Sequence, residues 1–225
     1  MRKVSEMGRN VVPLSSEILN YVVEHGNPPD DVMRDLAAET HDALPDAAGM
    51  QIGPDQTAFM ELLTRIVGVD AAVEVGTFTG MSSLAIARGL RPGGRLTCFD
   101  ASEEYTAIAR RYWERAGVAD RVELRIGDAR EGVAQLPGEP HLDLVFIDAD
   151  KPGYETYWSE LVPRVRSGGV LLADNTLWSG RVLETEPEQE STRVMQRFND
   201  LVAADDRVDS FMLAIGDGLT IARKR

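Results

Sequence analysis

The chain has 225 residues, with 37 acidic against 24 basic side chains, a net charge of −13 at pH 7 and a pI of about 4.7. A composition of 43% hydrophobic and 27% charged residues excludes disorder as the dominant state, and the length suits one large α/β domain better than two small ones. No window reaches the roughly 18 uninterrupted apolar residues of a membrane span and MRKVSEMGRNVVP lacks a signal-peptide core, so a cytoplasmic protein is expected, with no membrane partner; the acidic balance also disfavours nucleic acid and leaves small molecules.

Three helices are predicted in the first seventy residues: 17–24 behind Ser15 and Ser16 as caps, 31–43 behind Pro28-Pro29-Asp30, and 55–67. Residues 1–70 are expected to lie as a helical cover on a core formed by 71–225, within a single domain. Some of their apolar faces could pack on a second subunit. From residue 71 the pattern changes to short apolar runs alternating with amphipathic stretches. Strands are predicted at 71–76, 95–100, 122–127, 142–148 and 169–174, with helices at 82–90, 103–117, shortly after Ala129, 153–165 and 190–204. Cys98, the only cysteine, falls in the second strand and reads as a small buried filler; it excludes a disulfide framework or a multi-cysteine zinc site. Strand–helix alternation implies right-handed crossovers and a doubly wound, Rossmann-like, mostly parallel sheet. The closing SFMLAIGDGLTIARKR differs: two β-rich runs flank Gly216-Asp217-Gly218, which predicts a terminal antiparallel hairpin.

The segment Val73-Glu74-Val75-Gly76-Thr77-Phe78-Thr79-Gly80 ends the first strand and opens a helix, the place where α/β sheets bind ligands. Its G-x-x-x-G spacing is neither the dinucleotide G-x-G-x-x-G nor the phosphate loop that ends in Gly-Lys-Ser/Thr. Asp100, ending the second strand, could accept hydrogen bonds from both hydroxyls of a ribose, or could only cap the next helix. Gly127-Asp128-Ala129 after the third strand could flank an adenine. Gly76 and Gly80 could also be turn and packing glycines. Glu74, inside an apolar strand, is costly to bury without a partner, which favours a ligand or a cluster of backbone amides beside it.

Asp148 ends the fourth predicted strand and Asp174-Asn175 the fifth, so two carboxylates and an amide oxygen emerge at one edge of the sheet. Such hard donors suit magnesium, manganese or calcium, and the absence of nearby Cys or His argues against zinc. Capping of the following helices is the structural alternative. Lys151 lies three residues past Asp148 and can reach the same pocket; it is either a surface lysine or, beside a divalent cation, a proton acceptor.

The stretches GMQIGPDQTAFM, VEVGTFTGMSSL, CFD, GDA, VFIDADKPGYETYW, DNTLWSG and GDGLTIARK together resemble the class I S-adenosylmethionine-dependent methyltransferases, and among them the cation-dependent O-methyltransferases of the caffeoyl-CoA and catechol type, over nearly the whole chain. The resemblance implies a seven-stranded sheet and S-adenosylmethionine as methyl donor. It implies Asp148, Asp174 and Asn175 as ligands of a divalent cation, magnesium first, with manganese or calcium as alternatives. Lys151 would be the general base, with Asp148 beside it in the catalytic machinery. Donor contacts would fall at Ile52, Glu74, Gly76, Thr77, Ser82, Asp100, Ala129, Asp148, Asp150 and Tyr157, with helix capping open for Ser82 and packing for Tyr157.

Trp178 would wall the acceptor ring, or make a core or dimer contact; Lys151 and Asn175 would face the acceptor too. The implied acceptor is a catechol-like phenol and the implied assembly a homodimer. The plant CoA-ester enzymes carry a lysine where this chain has Asn10 and an asparagine where it has Ser179, so recognition of a CoA ester does not carry over. Residues 11–21 and the Glu-rich loop after Gly180 should shape the acceptor pocket, the loop as a solvated lid. Trp113, Trp158 and the three histidines His25, His41 and His141 are expected to have no role in the site. Two other readings stay open: a methyltransferase for a non-aromatic diol or hydroxy acid, and a non-catalytic S-adenosylmethionine-binding dimer.

Overall fold

The computed structural model describes residues 13–225. Seven strands, β1 (Ala71–Val75), β2 (Arg95–Asp100), β3 (Val122–Ile126), β4 (Leu142–Ile147), β5 (Val165–Ala173), β6 (Val208–Leu213) and β7 (Leu219–Lys224), form one sheet in the order β3-β2-β1-β4-β5-β7-β6. The first five pair in parallel, and β7, inserted between β5 and β6, pairs antiparallel with both. Helices α1 (Ser16–Glu24), α2 (Asp31–Ala43) and α3 (Pro54–Val67) precede the sheet. α4 (Met81–Gly89), α5 (Glu103–Arg115), α6 (Ala129–Ala134), α7 (Tyr154–Leu161) and α8 (Glu190–Ala204) lie among the strands.

Two apolar layers sandwich the sheet, one per face, as the twofold alternation of strand side chains requires. Ala72, Leu96, Leu144 and Phe146 pack on one side with Leu36, Met60, Leu84 and Trp113 from the N-terminal helices, α4 and α5. Val73, Phe99, Val145 and Ile147 pack on the other with Trp158, Met195 and Phe198 from α7 and α8. With both faces covered, the central strands have no polar side, which is why their sequences read as mainly apolar runs, broken only by single residues such as Glu74 and Asp143. Cys98 is buried in the first layer, as expected for a filler.

Capping follows the expected chemistry. The Ser15 side chain accepts from the Ile18 amide, and that of Asp30 from Met33. Two elements differ from expectation. The helix predicted at 153–165 ends at Leu161 and tightens into a 3-10 turn at Val162–Arg164, because Pro163 has no N–H to donate to the next helical bond. Strand β5 starts four residues earlier than predicted. Leu142 pairs with Val165 but Leu144 with Val170, so Arg166-Ser167-Gly168-Gly169 bulges opposite the single residue Asp143, with Gly168 at φ +82°. Arg166 pairs with Asp143, whose other oxygen accepts from the amides of Asp70 and Ala71 at 2.7 and 2.8 Å.

Candidate active site

The sheet reverses its winding between β1 and β4, and the carboxyl ends of these strands open the crevice where α/β folds bind ligands. Each loop leaves the sheet hooked to the neighbouring strand. The Asp148 amide donates to Val75 O (2.8 Å), and the Asp174 amide donates to Ile147 O (3.0 Å). Gly76, Asp148 and Asp174 are thereby set side by side. Gly76 has φ +90°, and a Cβ there would stand 1.9 Å from the Asp148 carbonyl oxygen, so only glycine lets the two loops touch.

Asp100 builds the next wall. One carboxylate oxygen accepts from the amides of Thr77 and Phe78, both at 2.8 Å, and the other from Ser102 at 2.7 Å. The helix-cap alternative for Asp100 is replaced by this arrangement, since Ser102 itself caps α5 by accepting from Tyr105. Asp100 thus orders the glycine loop, including Phe78 at φ +51°, and retains one lone pair for a ligand hydroxyl. Segment 49–52 is fastened on the opposite side, where Gln51 Nε2 donates to both Thr40 and Thr79 at 3.0 Å.

These elements enclose a cavity of about 1070 Å³, lined by Ile52, Gly76, Thr77, Ser82, Asp100 and Ala129 toward one end. Asp148, Asp150, Lys151, Tyr157, Asn175 and Trp178 line the rest. One pocket therefore gathers twelve of the residues expected in the site, from six separate chain segments. Ser82 does not cap α4, whose N-cap Gly80 makes no side-chain bond; it is buried in the cavity wall. Tyr157 is buried and donates to Asp150 Oδ1 at 2.6 Å, while Arg130 pairs with the other Asp150 oxygen, so this rim is a fixed three-residue cluster.

Glu74 and Asp174 lie behind the cavity wall. Glu74 is fully buried between Cys98 and Phe146 on neighbouring strands, and neither of its carboxyl oxygens has a hydrogen-bond partner. Burial, with a smaller contribution from Asp148, pushes its pKa up to about 7, although Ser82, Cys98 and Thr77 beside it oppose the shift.

Asp174 is 3% exposed. Burial and the nearby Asp148 charge raise it to about 7; burial likewise raises Asp148, against the pull of Lys151. Neither acid caps a helix: Gly153 precedes α7 without a side-chain bond, and Asp174 accepts from its own neighbour, the Asn175 amide, at 2.6 Å.

Lys151 opens a 3-10 turn, Lys151–Gly153, and links Asp148 to Asn175. Its amine donates to Asn175 Oδ1 (2.5 Å) and Tyr154 OH (2.6 Å) and lies 3.4 Å from Asp148 Oδ1. It also sits 5.7 Å from the centre of the Trp178 ring. The side chain is 13% exposed, which excludes the surface-lysine reading. Among the described residues no group of three or more His, Cys, Asp or Glu gathers for a metal. The donor set here is instead two carboxylates and one carboxamide oxygen. It fits a hard divalent cation, because the buried Asp174 and the half-buried Asp148 repel each other and, among the described residues, only Lys151 stands against their two negative charges.

Trp178 forms the wall beyond Lys151, at the end of a strained stretch. Asn175, Trp178 and Ser179 have φ of +56°, +47° and +52°, and such positions cost about 1–3 kcal/mol each and persist only where surroundings dictate them. The β6–β7 turn supplies that constraint: Gly218 O and Asp217 O each accept at 2.9 Å, from the Thr176 and Leu177 amides, and the Asp217 carboxylate accepts from Ser179. Past Gly180, Gln196 of α8 donates to Val182 O (3.1 Å) and Glu184 O (2.7 Å), so the start of the predicted lid is tied down.

Asn10 and residues 11–12 of the expected acceptor region lie outside the described residues. Trp113 and Trp158 are core residues bonded to Ser83 and Asp205, and the three histidines stay away from the cavity. Sequence reasoning missed Tyr154, Gln56 and Asp217. The three-residue spacing from Lys151 to Tyr154 was the only local clue to any of them.

The family profile described as O-methyltransferase matches residues 23–225. A relative from Dictyostelium discoideum named probable caffeoyl-CoA O-methyltransferase 1 is 35% identical over 217 residues, covering 95% of this chain and 94% of its own. The O-methyltransferase from Bacillus cereus, solved in complex with SAH, superposes with a TM-score of 0.85 at 32% identity, over 93% of this chain and 97% of that one. TomG of Streptomyces achromogenes, involved in tomaymycin synthesis and solved in complex with SAM, gives 0.81 at 28% identity, over 92% and 96%. Matched by the family profile over residues 23–225 and by these relatives over 92% or more of its length, the chain belongs to the O-methyltransferase family and is an S-adenosylmethionine-dependent enzyme.

Proposed function

We propose that the protein transfers the donor's methyl group to one hydroxyl of a catechol-like, vicinal dihydroxy phenol, in a reaction that depends on a divalent cation. The observation that carries this reading is the position of the Lys151 amine, within hydrogen-bond reach of Asn175 Oδ1 and 3.4 Å from Asp148 Oδ1, in the cavity beside Trp178.

Asp148, Asp174 and Asn175 would hold the cation. Bound there, it supplies Lewis acidity that lowers the pKa of an acceptor hydroxyl, each unit being worth about 1.4 kcal/mol. Lys151 takes up the hydroxyl proton at Nζ, and Tyr154, which also donates to Asp174 O at 3.3 Å, holds that amine in place. The acceptor oxygen then bonds to the sulfonium methyl carbon as its bond to sulfur breaks, leaving S-adenosylhomocysteine. Asp100 and the glycine loop fix the donor, and Trp178 offers a flat apolar face to the acceptor ring. No covalent enzyme intermediate is required, so positioning supplies most of the acceleration.

The enzyme is further proposed to be a cytoplasmic homodimer; among the described residues no helix is long and apolar enough to cross a membrane. Tyr21 and Val22 of α1 and Leu62 and Ile66 of α3 are exposed and apolar, and would be covered by the second subunit. The test is methyl transfer to a panel of catechols, caffeic acid, caffeoyl-CoA and matched monophenols, with magnesium and with excess EDTA. Product from vicinal diols only, lost with EDTA, is the expected result. Transfer to monophenols that survives EDTA would overturn the proposal.

A further inference from the structure

Asp174 is held from both sides. One oxygen accepts from the Asn175 amide; the other accepts from Gln56 Nε2 at 2.6 Å, across 118 residues of chain. Gln56 lies in the first turn of α3 and is 2% exposed. Its amide nitrogen must face Asp174, since a carboxylate can only accept. Behind it stands the β6–β7 turn, where a Cβ on Gly216 would come within 2.6 Å of Gln56 Oε1. The side chain thus lies between that turn and Asp174.

Two of the four lone-pair directions of the Asp174 carboxylate are occupied in this way, one on each oxygen, so its torsion is set and two directions are left for an incoming ligand. Carboxylates that ligate metals depend on such outer partners for their orientation, and loss of one partner costs about 10- to 100-fold in metal affinity. Among the described residues no other side chain hydrogen-bonds to the Asp174 carboxylate.

We infer that Gln56 is a positioning residue that orients Asp174 for the divalent cation and so couples the N-terminal helical cover to the catalytic centre. The inference rests on the proposal that Asp148, Asp174 and Asn175 bind a cation. It assigns α3 a part in catalysis that Tyr154 and Lys151, which make no hydrogen bond to the Asp174 carboxylate, do not supply.

The experiment titrates Mn²⁺ into the full-length protein, followed by electron paramagnetic resonance, beside calorimetric titration of S-adenosylmethionine. Wild type is compared with Gln56→Met, which keeps length but loses the donor, and with Gly216→Ala, which presses on Gln56 from an exposed turn. The expected result is a Mn²⁺ dissociation constant raised about tenfold or more in both variants, with donor affinity unchanged. If Gln56→Met unfolds, Gly216→Ala is judged alone by the same standard. A variant that loses stability to urea yet binds Mn²⁺ as wild type does would show a merely structural glutamine and overturn the inference, leaving the cation reading intact. Failure of wild type itself to bind Mn²⁺ would overturn both.

Discussion

Replacement of Glu74 by Gln tests the electrostatics beneath the glycine loop most directly. The wild-type carboxyl is fully buried in β1, without a hydrogen-bond partner, and its pKa is raised from 4.5 to about 7. Between these values the folded protein holds a proton that the unfolded chain releases, so its stability falls as pH rises through this window. A shift of about 2.5 units at about 1.4 kcal/mol per unit gives roughly 3 kcal/mol, fully present below pH 4.5 and lost above pH 7. Gln fills the same volume and cannot ionise. The variant should therefore gain roughly 3 kcal/mol on wild type between pH 4.5 and pH 8. Urea unfolding at half-unit steps of pH, with EDTA and without methyl donor, measures both curves. Asp174 is raised into the same range, but it is present in both proteins and cancels in the difference. Parallel stability curves would refute the argument, meaning that Glu74 ionises in the folded protein as easily as it does in water.

Three other outcomes are expected. Gly76→Ala puts a methyl 1.9 Å from a backbone oxygen at φ +90°, and should lower stability by about 2–3 kcal/mol in urea while abolishing calorimetrically detected donor binding. Asp100→Ala frees the Thr77 and Phe78 amides and should weaken donor binding by more than about tenfold, with thermal unfolding only modestly altered. An unchanged dissociation constant would remove Asp100 from the donor site. Lys151→Met should depress kcat about 10²- to 10⁴-fold while sparing donor affinity, read by steady-state kinetics beside calorimetry.

The sequence by itself determined the strands, their order along the chain and the site positions at strand ends, because these depend on local rules. Apolar runs of five or six residues declare a strand covered on both faces; Ser15 and Asp30 mark helix starts; a glycine loop that follows a strand marks the crevice. Twelve of the named site residues meet in one cavity for that reason. Local rules misled where a neighbour in space decided: the pattern carries a helix to 165 and starts the strand at 169, whereas Val165 already pairs with Leu142 and residues 166–169 bulge opposite Asp143. Tertiary structure alone decided the partnerships. That Asp100 would clasp the glycine loop, that Glu74 would be sealed without a partner, that Asp217 would hold the strained turn at Ser179 and that Gln56 would reach Asp174 are invisible to periodicity and spacing. The hydrogen bonds among them join residues 23 to 118 positions apart. Hydrogen bonds of this kind depend on where strand ends and helix faces meet after packing, and no propensity of a single segment encodes that meeting.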